Sequence, residues 1–150
     1  MIGMNNNNKS GPYDHNVNVT LNSWLPSLST NDSISATKSH QTLVAQTDAN
    51  LLKEIDATTL KPIKNFNFGK YDKKLHGPLS PAHPQYDSET GEYISFVGNM
   101  GSYTEYNVFS IKRDPQSGKP ITTILATIPG KPVYTHSFCL TKKYVILILW

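Results

Sequence analysis

The chain has 150 residues, a formal net charge of +3 and 37% hydrophobic residues. This length is enough for one domain that buries a core. The small positive charge does not indicate the clustered basic surface that nucleic-acid binding requires, so we expect no nucleic-acid partner. The single cysteine, Cys139, excludes an internal disulfide, and its apolar neighbours predict a buried thiol.

The first forty residues are poor in apolar side chains and rich in Asn, Ser and Thr. We interpret residues 1–40 as a polar, flexible lead, in which only residues 16–21 alternate like a short strand. The start lacks the apolar region of a signal peptide, and no run approaches the ~18 apolar residues that cross a bilayer. The expectation is a cytoplasmic protein without a transmembrane segment.

The next part of the chain consists of short runs with β character. Residues 42–47 and 51–55 predict two strands joined by a tight turn. The basic stretch 61–74 is interpreted as a solvated loop whose Phe66 and Phe68 side chains pack inward. A nucleic-acid patch is the less favoured interpretation of the same stretch.

Three turns begin with an aspartate, at Asp56, Asp87 and Asp114. Runs of aromatic and β-branched side chains predict three further strands, at residues 92–97, 103–112 and 121–128. Nothing from residue 42 onward has the 3.6-residue period of a helix. The sequence therefore predicts an all-β fold, either a sandwich, a barrel or a propeller, and the blade-like spacing of the strands favours a propeller.

The chain closes on an apolar run, residues 144–150, which predicts a buried strand. A natural domain seldom ends on its most hydrophobic strand, because the bare edge promotes aggregation. We therefore expect residues 41–150 to be a partial β-domain that is truncated at its C-terminus.

Two histidines stand at the heads of β-rich segments. His83 lies between Pro81 and Pro84, and His136 lies in a Tyr-Thr-His-Ser-Phe run. The prolines restrict the backbone, which favours a ligand of pre-set geometry. The two histidines are too distant in sequence for a local motif, so they meet only if the fold joins separate strand ends. Taken alone, an ordinary loop histidine and a core histidine are the better interpretations.

Three segments resemble motifs of the carotenoid cleavage oxygenases, the family of the retinal pigment epithelial membrane protein. Residues 51–60 resemble the strand and turn before the family's first metal ligand. Ala82-His83-Pro84, with the turn at 87–91, resembles the first-ligand motif, and residues 132–141 resemble the second-ligand motif. The resemblance covers roughly residues 42–150 and is closer to fungal torulene-cleaving enzymes than to animal retinoid enzymes.

The resemblance implies a seven-bladed β-propeller with Fe(II) on its axis, held by four histidines, of which His83 and His136 would be the first two. Imidazole is a suitable ligand for Fe(II), and open positions on the metal leave room for O₂. The implied reaction is the oxidative cleavage of a C=C bond in a carotenoid, apocarotenoid or related polyene. The resemblance leaves room for peripheral membrane contact of a full-length protein.

Family members orient the ligand imidazoles with carboxylates, and Asp48 stands where the first of these, usually Glu, is expected. A plain turn aspartate is an equally good interpretation of Asp48. No histidine follows His136, and the other three, at positions 15, 40 and 76, match no family motif. We therefore expect two of the four Fe(2+) ligands to be missing and this chain, an N-terminal fragment of a dioxygenase, to be inactive alone.

Two alternatives remain open. One is a non-catalytic, metal-free remnant of an oxygenase, and the other is a β-rich binding module whose histidines are incidental. Metal binding that depends on His83 distinguishes the binding module from the oxygenase.

Overall fold

The computed structural model describes residues 19–28 and 42–149. Within these ranges the fold is all-β, with one short 3₁₀ helix at Phe68–Lys70 and no α-helix, which confirms the predicted fold class. No helix in the same ranges is long and apolar enough to span a membrane. His15, His40 and residues 16–18 of the first predicted strand lie outside the described residues.

The first sheet has four antiparallel strands that are hydrogen-bonded in chain order. Its strands are β1 (Thr20–Asn22), β2 (Thr42–Gln46), β3 (Leu52–Asp56) and β4 (Pro62–Phe66). Strand β1 lies within the segment that the sequence analysis assigns to a polar lead, and it forms one edge of the sheet.

The basic stretch 61–74 is not only a loop, because β4 lies within it. Glu54 and Lys64 face each other in the register of β3 and β4, and their side chains form an ion pair of 3.0 Å. This cross-strand pair supports the strand. Phe66 and Phe68 are buried, so the prediction that these aromatic side chains pack inward is confirmed.

The second sheet also has four antiparallel strands in chain order. Its strands are β5 (Gln85–Asp87), β6 (Glu92–Met100), β7 (Thr104–Arg113) and β8 (Pro120–Pro129). The predicted strands at 92–97, 103–112 and 121–128 are thereby confirmed. The two sheets do not close into a ring within the described residues, and the propeller stays a prediction.

The three predicted aspartate turns each connect two adjacent strands. A side-chain oxygen of Asp56, Asp87 or Asp114 accepts a hydrogen bond from the backbone N–H two residues later, at 3.0, 2.9 and 2.9 Å respectively. Hydrogen bonds from N–H and hydroxyl groups of the turn lower the pKa of all three carboxyls. The turns therefore have the Asx geometry that the sequence indicates.

Strands β6 and β7 of the second sheet are buried on both faces, and alternate side chains of β6 enter different clusters. Tyr93 and Val97 pack with Phe68, Phe109 and other residues between the two sheets. Phe96 belongs to a second cluster on the opposite face, which segment 133–147 partly covers. The packing of segment 133–147 on this cluster positions His136, which lies within the segment.

Two sequence predictions about the end of the chain are wrong. Cys139 is exposed, because Phe138 faces the core and successive side chains of an extended chain alternate between faces. The final apolar run forms only the two-residue β10 (Val145–Ile146), which pairs with β9 (Cys139–Leu140). Since no other described strand pairs with β10, Ile146 and Ile148 stay exposed.

Candidate metal centre

The segment that carries His83 is fixed against the end of β2 by hydrogen bonds. The Ser80 N–H donates to the Asp48 carbonyl at 3.2 Å, and the Ser80 hydroxyl donates to the Ala49 carbonyl at 2.9 Å. Pro81 further restricts the backbone. His83 is therefore presented by a stiff segment directly before β5, with its side chain exposed.

The segment that carries His136 follows β8 and is held by a tyrosine of β7. The Tyr106 hydroxyl donates to the Lys131 carbonyl at 2.8 Å and accepts from the Val133 N–H at 3.1 Å. Tyr106 itself is fully buried in the second cluster. The path from β8 to His136 is thus anchored to the core and is not a free loop.

The two histidine segments lie side by side. His83 and Ser137 form an isolated parallel bridge, and the Ala82 N–H donates to the His136 carbonyl at 3.1 Å. The imidazole rings of His83 and His136 meet edge to face, with 4.7 Å between their centroids and an interplanar angle of 80°. The fold therefore brings together the two histidines that the sequence analysis selected, from separate parts of the chain.

The carboxylate of Asp48 lies against one of these imidazoles. Its Oδ1 atom is 2.8 Å from His136 Nδ1 and accepts a hydrogen bond from the Ala82 N–H at 3.2 Å. Its Oδ2 atom accepts a hydrogen bond from the Tyr134 hydroxyl. A carboxylate on Nδ1 favours the tautomer with the proton on that nitrogen and leaves the Nε2 lone pair available.

Tyr134 completes the hydrogen bonding of this carboxylate. Its hydroxyl also lies 3.3 Å from His136 Nδ1. Partial burial and the neighbouring Asp48 carboxylate raise the pKa of Tyr134 to about 12. At neutral pH the phenol therefore stays protonated and remains a donor to Asp48.

The other imidazole has its own partner, from the first strand. Thr20 Oγ1 lies 3.1 Å from His83 Nδ1. When the Nδ1 atom of His83 carries the proton it donates to this hydroxyl, and Nε2 is again the free nitrogen. Both rings thus use Nδ1 for hydrogen bonding, and within the described residues no hydrogen bond reaches either Nε2.

This donor set fits two corners of an iron site, because neutral imidazole nitrogen is a common ligand for Fe(II). The described residues do not complete such a site, since no group of three or more His, Cys, Asp or Glu side chains in them is arranged to hold a metal. His76 does not join the centre; its Nδ1 atom contacts the Lys73 carbonyl at 2.9 Å. His15 and His40 fall outside the described ranges.

Two residues of the site, Thr20 and Tyr134, have no role predicted from the ligand motifs. Tyr134 lies two residues before His136, and alternation along an extended segment puts both side chains on one face. The two-residue spacing of Tyr134 and His136 in the sequence therefore indicates that their side chains lie close together. Thr20 has no comparable local signal, because its contact with His83 depends on how the first strand meets a distant segment.

The family of the retinal pigment epithelial membrane protein matches residues 3–150, nearly the whole chain. The chain belongs to the carotenoid cleavage oxygenase family. The resemblance to this family is therefore confirmed, and carotenoid and torulene dioxygenases of fungi are among the relatives.

Individual relatives agree with this assignment. A carotenoid dioxygenase of Neurospora crassa is 34% identical over 91% of this chain and 25% of its own length. A torulene dioxygenase of Fusarium fujikuroi is 29% identical over 95% of this chain and 21% of its own length. A human beta,beta-carotene 15,15'-dioxygenase is 28% identical over 85% of this chain and 25% of its own length. The chain thus spans about a quarter of the length of the curated relatives it matches.

Proposed function

We propose that this chain is part of a non-haem Fe(II) dioxygenase that cleaves a C=C bond of a carotenoid or related polyene with O₂. The observation that supports the proposal is the meeting of His83 and His136, the residues of the two ligand motifs, with 4.7 Å between ring centroids. The Asp48 carboxylate, 2.8 Å from His136 Nδ1, also supports the proposal. The names of the relatives support the substrate class.

In the proposed site, His83 and His136 are two of the Fe(II) ligands and coordinate through Nε2. Iron, when bound, supplies the activation of O₂ and of the polyene double bond. Asp48 holds the proton of His136 on Nδ1 and fixes the plane of the ring, and Tyr134 and the Ala82 N–H in turn hold Asp48. Thr20 orients the ring of His83 through its hydroxyl, which lies 3.1 Å from Nδ1.

Two imidazoles hold Fe(II) weakly, and the family resemblance implies four. We propose that the remaining ligands come from the part of a full-length protein that this chain does not include, and that its two four-stranded sheets are blades of a propeller. The 150-residue chain by itself is then a weak metal binder without cleavage activity.

Metal titration tests the ligand assignment. Co(II), followed by its absorption spectrum, serves as the probe for the Fe(II) site in the wild type and in the variants His83→Ala and His136→Ala. Each variant is expected to lose the spectral change, because a single imidazole does not hold the ion. His76→Ala, which removes an imidazole outside the centre, is the matched control and should bind as the wild type does. Undiminished Co(II) binding by His83→Ala would refute the assignment and favour a metal-free module.

A product assay tests the statement about activity. The chain loaded with Fe(II) is incubated with β-carotene or torulene under air, and carbonyl products are separated by chromatography. A full-length family member serves as the positive control. We expect no cleavage by the chain; turnover that is abolished by His83→Ala would show that two histidines suffice.

A further inference from the structure

A chain of buried polar groups runs from the second sheet through the first to the segment that carries His83. The Tyr93 hydroxyl of β6 donates to Gln46 Oε1 at 2.5 Å, and Gln46 Nε2 donates to the Pro81 carbonyl at 2.8 Å. The side chains of Tyr93 and Gln46 are both 0% exposed. Fully buried polar groups are uncommon and are retained where their hydrogen bonds are satisfied.

The chemistry of the partners fixes the direction of this chain. The Pro81 carbonyl can only accept, so the NH₂ group of Gln46 faces it and Oε1 faces Tyr93. The phenol must then donate, and burial raises the pKa of Tyr93 above its usual range, which keeps it protonated. The hydrogen-bonding role of each group is therefore fixed: Tyr93 donates, Gln46 accepts through Oε1 and donates through Nε2, and the Pro81 carbonyl accepts.

The carbonyl that receives this hydrogen bond lies two residues before His83. Proline has no N–H, so the carbonyl is the only backbone hydrogen-bonding group of Pro81. The N–H of the same peptide group, that of Ala82, donates to Asp48 Oδ1 and to the His136 carbonyl. The single peptide group between Pro81 and Ala82 is therefore held at both ends, at its carbonyl by Gln46 and at its N–H by the metal-centre carboxylate and the His136 carbonyl.

We propose that Gln46 and Tyr93 are positioning residues for His83. By holding the Pro81 carbonyl they fix the backbone from which His83 reaches the metal, and they link the two sheets at that point. This inference rests on the proposed function for the metal, although the positioning itself concerns only the protein. Neither residue touches the imidazoles.

The test uses the whole chain and the double variant Gln46→Met with Tyr93→Phe. This variant keeps the buried volume and leaves the Pro81 carbonyl without its hydrogen-bond donor. Two readouts are taken: hydrogen exchange of the Ala82 amide without metal, and Co(II) affinity. We expect Ala82 exchange to accelerate at least about tenfold and Co(II) affinity to fall by about tenfold, the lower end of the range for residues behind a metal ligand.

Tyr71→Phe is the matched control. It removes another tyrosine hydrogen bond to a backbone carbonyl, that of Tyr71 to Pro26 at 2.7 Å, and neither residue belongs to a histidine segment. Ala82 exchange and Co(II) affinity should stay at wild-type values in this variant. If they change as much as in the double variant, the effect is a general loss of stability and the proposal is overturned.

The two readouts separate the two proposals. Wild-type exchange of the Ala82 amide in the double variant overturns the positioning role, whatever the metal does. Accelerated exchange together with Co(II) binding that does not depend on His83 supports the positioning role and refutes the proposed metal site. Should the double variant fail to fold, Tyr93→Phe alone, which leaves the Gln46–Pro81 hydrogen bond possible, is expected to show a smaller acceleration of the same amide.

Discussion

Asp48 is one methylene shorter than the glutamate that the family resemblance leads us to expect, yet its carboxylate accepts three hydrogen bonds. The donors are His136 Nδ1, the Ala82 N–H and the Tyr134 hydroxyl. The short side chain suffices because Ser80 donates to the backbone carbonyl of Asp48 itself and so brings the two segments close together. At this position, backbone placement compensates for side-chain length.

The first prediction concerns the charge of this carboxylate. Asp48→Asn should weaken Co(II) binding by roughly 10- to 100-fold, because an amide does not fix the His136 tautomer as a carboxylate does. The tautomer is read from the ¹⁵N chemical shifts of the imidazole. Asp72→Asn is the control, since Asp72 is a surface carboxylate that accepts a hydrogen bond from the Lys74 N–H. Equal affinity in Asp48→Asn and the wild type would contradict the role of Asp48.

The second prediction concerns Tyr134. Its pKa of about 12 lies above the ordinary value of 10.0, so the folded state favours the protonated phenol. The stability that this provides is present below about pH 10 and is lost as the pH rises through 12. Tyr134→Phe should therefore lower the urea midpoint at neutral pH, and its difference from the wild type should shrink at alkaline pH.

Urea unfolding at a series of pH values, with a tyrosinate absorbance titration, measures this effect. Tyr103→Phe is the control, because that side chain is 91% exposed and its replacement should not change stability. A difference between Tyr134→Phe and the wild type that does not vary with pH would argue against the hydrogen bond to Asp48.

At the scale of elements, the three aspartate turns share one geometry but not one sequence. The fifth residue of each donates its N–H to the aspartate carbonyl at 2.8 Å and has a left-handed backbone. Glycine occupies this place in two turns, with φ of 71° at Gly91 and 70° at Gly118. In the turn between β3 and β4 the residue is Leu60, with φ of 57°. This turn therefore carries a strain that the other two avoid.

The third prediction follows from this comparison. Leu60→Gly should stabilise the protein by roughly 0.5–1 kcal/mol, because glycine adopts positive φ without a steric penalty and Leu60 is 70% exposed. Gly118→Leu is the reciprocal variant and should destabilise by a similar amount. Chemical unfolding measures both. A loss of stability in Leu60→Gly would mean that the leucine side chain makes a contribution larger than the backbone strain.

At the scale of the whole molecule, one face of each sheet packs against the other sheet, and other apolar surface stays exposed. The outer strand β8 is largely exposed, including Ile121 and Leu125, and the final apolar run leaves Ile148 uncovered. Exposed apolar side chains on an edge strand promote association between chains. This surface is consistent with a protein that spans about a quarter of its relatives' length.

The fourth prediction is that the chain self-associates or expresses poorly. Leu125→Lys should reduce light scattering by the purified chain, because it places a charge on the exposed edge strand. Thr123→Lys adds the same charge to β8 without removing apolar surface and is the control. A monomeric wild type with a cooperative unfolding transition at high concentration would contradict this prediction.

Most of the strands were predictable, because alternation and the aspartate turns are local features of the sequence. The end of the chain was predicted wrongly, since hydrophobicity alone does not show whether a second sheet exists to bury residues such as Ile148. The family motifs selected His83 and His136 from the sequence. The contact of His83 with Thr20 and the buried link from Gln46 to Pro81 could not be predicted, because these contacts depend on how distant segments pack.

The contact between Asp48 and His136 joins residues 88 positions apart, and this separation has a consequence for the order of folding. Closing so long a loop costs chain entropy that only the packing of both sheets can offset. During synthesis Asp48 leaves the ribosome well before its imidazole partner and stays hydrated until His136 and Tyr134 arrive. At the proposed iron site, the two histidines would therefore meet the metal only after the chain has joined its two sheets.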